Sequence, residues 1–175
     1  MLFNSWIYAF FLALACLVTW SLPGRAARQW WLIATGLAFY AWYHPPHLPL
    51  IVGFTVLIFL VTVVADGRSP VRRRAVLAGA AAFCVGILAY FKYRGFLLQN
   101  LAFLDLGRHR NLDEVLLPLG ISFYTFHAIS YMVDVYRGAI VAHRNVFDVA
   151  LYVAFFPQLV AGPITRARQF LPQLA

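Results

Sequence analysis

Residues 116 to 138 read LLPLGISFYTFHAISYMVDVYRG. The segment is apolar enough to lie in a bilayer, yet it carries polar residues at helical spacing. At 100° per residue, four polar side chains fall within a sector of about 80°. They are His127, Ser130, Asp134 and Arg137, with Tyr124 on the flank. An ionised side chain at the bilayer centre costs roughly 2.5 to 3.5 kcal/mol, so this face is predicted to meet protein or water and to form a site or its wall.

The composition of the whole chain agrees with a membrane location. Of its 175 residues, 63% are hydrophobic and only 11% are charged, and the mean hydropathy is +0.76. Such a chain exposes too much apolar surface for one soluble core. We therefore expect an all-α, polytopic transmembrane helical bundle with about five to six membrane segments, some of them short or re-entrant. Residues 1–175 are expected to form a single transmembrane domain.

Apolar runs and turn signals divide the chain into segments. The predicted spans cover residues 5–22, 30–43, 50–65, 75–91 and 116–138. The first is read as a retained span and not as a signal peptide. The run at 30–43 is short for a bilayer, and the run at 146–160 either spans or re-enters the membrane. Residues 95–114 mix apolar and charged residues and suit an interfacial helix and loop.

The basic residues predict the orientation. The net charge is +8, and the arginines lie in short loops between apolar runs, which is a topology signal and excludes nucleic acid as a partner. The loops after spans one, three and five hold eight arginines, against four basic residues in the loops on the other side. The positive-inside rule therefore places the N-terminus outside the cell and loop 66–74 in the cytoplasm.

Several residues are candidates for chemistry, each with a structural alternative. His127 could relay a proton, or could be a hydrogen-bonding contact between helices. Asp134 and Arg137, at i and i+3, could form an ion pair that fixes helix depth, or could line a cavity. His44 and His47 have no nearby carboxylate or cysteine, so no metal site is predicted.

A second stretch, FFPQLVAGPITR at residues 155 to 166, points to irregular backbone at membrane depth. Such backbone persists only where protein or a water-filled cavity satisfies it, although proline and glycine also mark ordinary helix ends. The residues concerned, possible lining or bracing groups of a cavity, are Pro157, Gln158, Gly162 and Pro163.

These two stretches, LLPLGISFYTFHAISYMVDVYRG and FFPQLVAGPITRARQFLPQL, closely resemble the membrane-bound O-acyltransferase family, in its bacterial polysaccharide branch. The early FYAWY at 39 to 43 and YFKYRGF at 90 to 96 resemble alginate O-acetyltransferase membrane subunits, in the same order. The resemblance covers the whole chain. It implies an enzyme of the bacterial inner membrane that moves an acyl group, acetyl in the alginate-like branch, from a cytoplasmic donor to a hydroxyl of an extracytoplasmic polysaccharide.

The resemblance also implies what this chain lacks. The family's catalytic histidine lies in a downstream half, in a Trp-His-Gly type motif, and His127 falls where relatives commonly have glutamine. No catalytic residue is therefore assigned to residues 1–175, which look like the N-terminal portion of a longer enzyme and are expected to be inactive alone. No bound cofactor is expected, although the family implies an acyl donor, acetyl-CoA or an acyl carrier, and extracytoplasmic acetylation partner proteins.

Two other functions remain open. The chain could be a complete small membrane protein with a binding or channel role and no catalysis, its polar face being a seam between helices. Half of a secondary transporter is disfavoured, because no inverted repeat and few intramembrane acids are found.

Overall fold

A computed structural model describes residues 5–43, 45–101, 117–160, 162 and 165–174. Within these ranges the chain is helical and contains no strand, so the all-α prediction is confirmed. The longer helices are α1 (Trp6–Ser21), α2 (Arg25–Tyr43), α3 (Leu48–Ala65), α4 (Pro70–Leu101) and α5 (Ile121–Tyr136). The shorter ones are α6 (Val146–Ala154), α7 (Phe156–Val160) and α8 (Ala167–Phe170), with 3-10 turns at Pro45–His47 and Leu171–Leu174.

Two described helices are long and apolar enough to cross a membrane, namely Pro45–Ala65, which includes the 3-10 turn, and the Pro70–Arg94 part of α4. The apolar helix Trp6–Ser21 is shorter. The membrane character predicted from composition is thus supported, while the number of five to six membrane segments stays a prediction. His44, Pro163 and most of the predicted interfacial stretch, residues 102–114, lie outside the described residues.

Two helices begin earlier than their apolar runs. The second was predicted from residue 30, but α2 begins at Arg25 and has 19 residues, a rise of about 28 Å. The fourth was predicted from residue 75, but α4 begins at Pro70 and continues for 32 residues, through Arg94. Polar residues near a helix end can remain helical while their side chains face protein or water. A helix can therefore be longer than its apolar run.

The last apolar run is broken into two helices. α6 has nine residues, a rise of about 14 Å. It ends at Ala154, and its cap Phe155 stands two residues before Pro157. Proline lacks the amide donor that a continuous helix would need, and α7 restarts around it. Residues 148, 149, 151–154, 156 and 159 are buried, with α2, α3 and α5 packed around them. The run is therefore no uninterrupted spanning helix.

The loops rich in arginine meet at one end of the bundle. Arg73, near the start of α4, donates a hydrogen bond to the carbonyl of Val135, near the end of α5. Arg144 lies 3.4 Å from the Asp66 carboxylate that follows α3, and Arg25 at the start of α2 lies 3.5 Å from Asp148 in the first turn of α6. We call this end, where the loops after α1, α3 and α5 converge, the basic end.

Candidate functional site

The polar stripe of α5 is mostly an interior surface. Tyr124 and His127 are almost completely buried, at 0% and 1% exposure, and Asp134 is buried at 6%. Ser130 is half-buried, whereas Arg137 is exposed just beyond the end of the helix. α5 is enclosed by α3, α4 and α6, so the stripe faces protein over most of its length.

Several buried polar atoms on this surface have no hydrogen-bond partner among the described residues. Buried polar groups are almost always paired with protein or ordered water, and leaving one unpaired costs free energy. On the stripe these atoms are both ring nitrogens of His127 and Asp134 Oδ2. Thr125 Oγ1 is also unpaired but lies on another side of α5, and the Tyr124 and Tyr40 hydroxyls are near enough to interact with each other. This concentration of unsatisfied groups marks the α5 interior as the candidate site, since a water, a ligand or further protein would stabilise it.

The His127 ring lies against the ring of Tyr152 in α6. The two ring centroids are 5.1 Å apart and the ring planes differ by 41°. The Tyr152 hydroxyl donates a hydrogen bond of 2.9 Å to the backbone carbonyl of Thr165. Through Tyr152, the two sequence stretches singled out above, α5 and the segment after α6, are brought together in one site.

The second stretch is braced by its own hydrogen bond. Thr165 Oγ1 donates to Gln158 Oε1 over 3.0 Å, which links α7 to the chain ahead of α8. Gly162 lies so close to Gln158 that a Cβ there would be 2.9 Å from the Gln158 Cα. Pro157 stands in the first turn of α7, where its missing amide hydrogen leaves no helical bond unmade. Gln158 therefore holds the irregular segment in place.

Two glycines let the broken segment approach other helices closely. A Cβ on Gly36 in α2 would collide with the carbonyl oxygen of Ala154, at the end of α6. A Cβ on Gly120, which has φ +68°, would collide with the carbonyl oxygen of Leu159 in α7. The helix break at Phe155 is therefore covered by protein, as irregular backbone at membrane depth requires.

Aromatic rings close the other end of the stripe. The Tyr124 ring centroid lies 5.1 Å from that of Phe54 in α3 and 6.5 Å from that of Tyr40 in α2. Sequence reasoning did not select Tyr40, Thr125 or Tyr152. Tyr40 belongs to the FYAWY segment that carried part of the family resemblance, which was a usable signal, whereas the other two are recognised only from the packing.

The predicted ion pair between Asp134 and Arg137 is not present in the described structure. Arg137 keeps helical backbone dihedrals as the C-cap of α5, but its side chain is exposed whereas Asp134 is buried, so the two charges face different surroundings. The described ion pairs join Arg25 and His143 to Asp148, and Arg144 to Asp66.

Asp148 is the buried junction of the basic end, and sequence reasoning did not select it. Its Oδ1 accepts a 2.7 Å hydrogen bond from Gln29 Nε2, which is also buried. His143 Nδ1 lies 3.4 Å from the other carboxylate oxygen. The backbone amide of His143 in turn donates to the Tyr131 hydroxyl over 2.9 Å, which ties the loop after α5 to the stripe helix.

A separate groove of about 310 Å³ lies between α3 and α4. Its lining is apolar or aromatic: Leu50, Phe83, Gly86, Ile87, Tyr90 and Phe91. It contains almost no polar surface and lies apart from the α5 stripe, so it has no group suited to acid–base chemistry.

Comparison with known proteins finds curated relatives of this chain. No family model matches the chain, and no solved structure matches it. Among curated proteins, the chain is 39% identical to "Probable alginate O-acetylase AlgI" of Pseudomonas syringae and 37% identical to the protein of that name in Pseudomonas aeruginosa. It is 30% identical to "Peptidoglycan O-acetyltransferase" of Helicobacter pylori.

Each of these similarities extends over 99% of this chain, but over only 34%, 34% and 38% of the respective relative. The chain thus spans about a third of the length of the curated relatives that it matches, consistent with an N-terminal portion. The resemblance drawn from the two motifs is confirmed. Over 99% of its length, the chain is therefore similar to about a third of the proteins named alginate O-acetylase.

Proposed function

We propose that this chain forms the N-terminal portion of a membrane-bound O-acyltransferase. The enzyme would transfer an acetyl group from a cytoplasmic donor to a hydroxyl of an extracytoplasmic, alginate-like polysaccharide. The observation that carries the proposal is the similarity over 99% of the chain to proteins named for O-acetyl transfer to alginate and to peptidoglycan. The apolar helices and the all-α fold fit a membrane enzyme of this kind.

Within that enzyme, the α5 stripe would form part of the wall of the acyl-transfer cavity. The support is physical, since His127 and Asp134 present buried polar atoms that nothing in the described structure satisfies. Such atoms could hold the waters or the polar groups of a reactant in a fixed position. Ser130, Asp134 and Arg137 would continue the wall toward the basic end. Pro157, Gln158, Gly162 and Pro163 would brace it.

The chemistry itself needs a general base that this portion does not supply. When acyl transfer starts from a thioester, the acceptor hydroxyl loses its proton, its oxygen forms the ester bond, and the carbon–sulfur bond breaks. The proton ends on the departing thiol, so the reaction balances without an oxidant or reductant. We assign the base to the family's downstream histidine and give His127 a positioning role, and we therefore expect residues 1–175 alone to be inactive.

The proposal includes a location, a donor and partners. The enzyme would lie in the bacterial inner membrane with its N-terminus outside and loop 66–74 in the cytoplasm. The convergence of the three basic loops at one end supports a common side for them. Acetyl-CoA or an acyl carrier would deliver the acyl group, and extracytoplasmic acetylation proteins would be partners of the enzyme.

A chimera tests the function. Residues 1–175 would replace the matching third of the Pseudomonas syringae relative, in a strain that lacks its own alginate O-acetylase. We expect base-labile acetate on the secreted alginate. The relative without its matching third is the negative control, and immunoblotting of membranes shows that the chimera is inserted. An inserted chimera that yields unacetylated alginate would contradict the proposal. Acetylation of a polysaccharide by purified residues 1–175 alone would contradict the expected inactivity.

A further inference from the structure

The basic end carries far more positive than negative charge. The loops after α1, α3 and α5 and the helix ends beside them contain eight arginines, against three carboxylates among the described residues. Asp148 forms an ion pair with Arg25, and Asp66 forms one with Arg144. Asp134 is buried. The arginines are Arg25, Arg28, Arg68, Arg72, Arg73, Arg74, Arg137 and Arg144. Most of this positive charge is therefore not neutralised within the described structure.

Three of these arginines are consecutive in the first turns of α4. Arg73 is half-buried and donates to the carbonyl of Val135, which fixes α4 against the end of α5. Since neighbours in a helix diverge by 100°, Arg72 and Arg74 project to either side of this anchor, and both are exposed. Neither forms an ion pair with a described carboxylate. Arg137, two residues after Val135, is exposed at the same junction.

This arrangement is electrostatically unfavourable until an anion is present. The first turn of α4 contains no acidic residue, and its unpaired backbone amides already give that end a partial positive charge. Three guanidinium groups add charge of the same sign. Guanidinium groups form paired hydrogen bonds with phosphate oxygens, which makes a phosphate the anion that fits best.

The surroundings favour a phosphate that belongs to a lipid. Val71, beside Arg72, is 80% exposed, and Tyr136, beside Arg137, is 45% exposed. Arg72 and Arg74 lie in the first turns of the Pro70–Arg94 part of α4, which is long and apolar enough to cross a membrane. A phosphate held there would have apolar side chains beside it and an apolar helix below it, as a phospholipid headgroup and its acyl chains require.

We propose that Arg72, Arg74 and Arg137 bind anionic phospholipid headgroups on the two sides of the junction of α4 and α5, with Arg73 holding the two helices together between them. The proposal does not depend on acyl transfer. It also does not depend on which side of the membrane the basic end faces.

Purified residues 1–175 in a neutral detergent provide the test. Phosphatidylglycerol and phosphatidylcholine would be titrated separately, with lipid retention followed by native mass spectrometry and stability by the thermal unfolding temperature. We expect phosphatidylglycerol to be retained and to raise the unfolding temperature, and phosphatidylcholine to do neither. The triple variant R72Q/R74Q/R137Q should bind about 100-fold more weakly, at roughly fivefold per arginine.

The opposite end of α4 offers a matched control. Lys92 and Arg94 lie over the rings of Tyr93 and Tyr90, and K92Q/R94Q removes cationic charge from that end. We expect this variant to retain phosphatidylglycerol within about twofold of the wild type, because it leaves the basic end intact. If the triple variant does not fold, the single variants R72Q, R74Q and R137Q replace it, each expected to lower the affinity about fivefold.

Three results would overturn the proposal. The first is unchanged retention in the triple variant or in all the single variants, and the second is an equal loss in K92Q/R94Q. The third is displacement of the lipid by inorganic phosphate at the same concentration, since a site for soluble phosphate would not need the acyl chains.

Discussion

The rings of His127 and Tyr152 lie 5.1 Å apart between centroids, and this contact joins α5 to the segment that follows α6. Tyr152 is in turn held by the carbonyl of Thr165, whereas neither ring nitrogen of His127 has a hydrogen-bond partner among the described residues. One member of the pair is thus fixed in place by protein, and the other presents unused polar atoms to the interior.

The first prediction concerns the effect of His127 on the stability of this chain. A buried imidazole without partners is destabilising, so His127→Leu should not lower the stability of residues 1–175. The free energy of unfolding should stay unchanged or rise by up to about 1 to 3 kcal/mol, and the thermal unfolding temperature should follow it. In the chimera, the same change should lower alginate acetylation at least tenfold, if these nitrogens position water or a reactant. Thermal unfolding in detergent and released acetate measure the two effects.

His127→Gln is the matched control for this pair of measurements. Glutamine keeps a donor and an acceptor in a similar volume, and the family resemblance places it here in relatives, so acetylation should be largely retained. A loss of stability above about 1 kcal/mol in His127→Leu with unchanged acetylation would instead identify a packing role.

Glycine positions provide a second prediction, on packing. Gly36→Ala should destabilise the chain by about 1 to 3 kcal/mol, because the added methyl group meets the carbonyl oxygen of Ala154. Gly79 and Gly86 in α4 have open space where a Cβ would be placed. Their replacement by alanine should stabilise by up to about 1 kcal/mol, through helix propensity alone. Equal effects at Gly36 and Gly79 would show that the α2–α6 approach is looser than described.

The sequence predicted the helical class and the two stretches that meet in the site, because both depend on local hydrophobicity and on proline and glycine. It placed the starts of α2 and α4 too late, since apolarity reports contact with lipid and the backbone remains helical through Arg25 and Pro70. Of the two alternatives for Asp134 and Arg137, the ion pair is not among the described contacts, because one side chain is buried and the other is exposed.

Long-range contacts were beyond the sequence. Gln29 and Asp148 are 119 residues apart, and no local sequence pattern links them. Only the packing of α2 on α6 buries both and turns them into a hydrogen-bonded pair. Thr125 and Tyr152 likewise gained a place in the site from their neighbours and not from a motif.

That pair leads to a third prediction. Asp148→Ala should lower the unfolding free energy by about 2 to 3 kcal/mol, because it leaves buried Gln29 without its acceptor and removes the partner of Arg25 and His143. Asp66→Ala is the comparison, since its pair with Arg144 is exposed and should contribute less than about 1 kcal/mol. Denaturant unfolding in detergent measures both, and similar losses at the two positions would contradict the junction role of Asp148.

The last prediction is the orientation of the chain in the membrane. Replacing Cys16 and Cys84 by alanine removes the described thiols, after which a single cysteine can be placed at each end of the bundle. Ser69 lies in the exposed loop at the basic end, and Lys92 is exposed toward the opposite end of α4. If positive charge is retained inside, Ser69→Cys should react with an impermeant maleimide only after spheroplasts are permeabilised, and Lys92→Cys should react in intact spheroplasts. Labelling of Ser69→Cys in intact spheroplasts would reverse the orientation and would place the eight arginines of the basic end outside the cell.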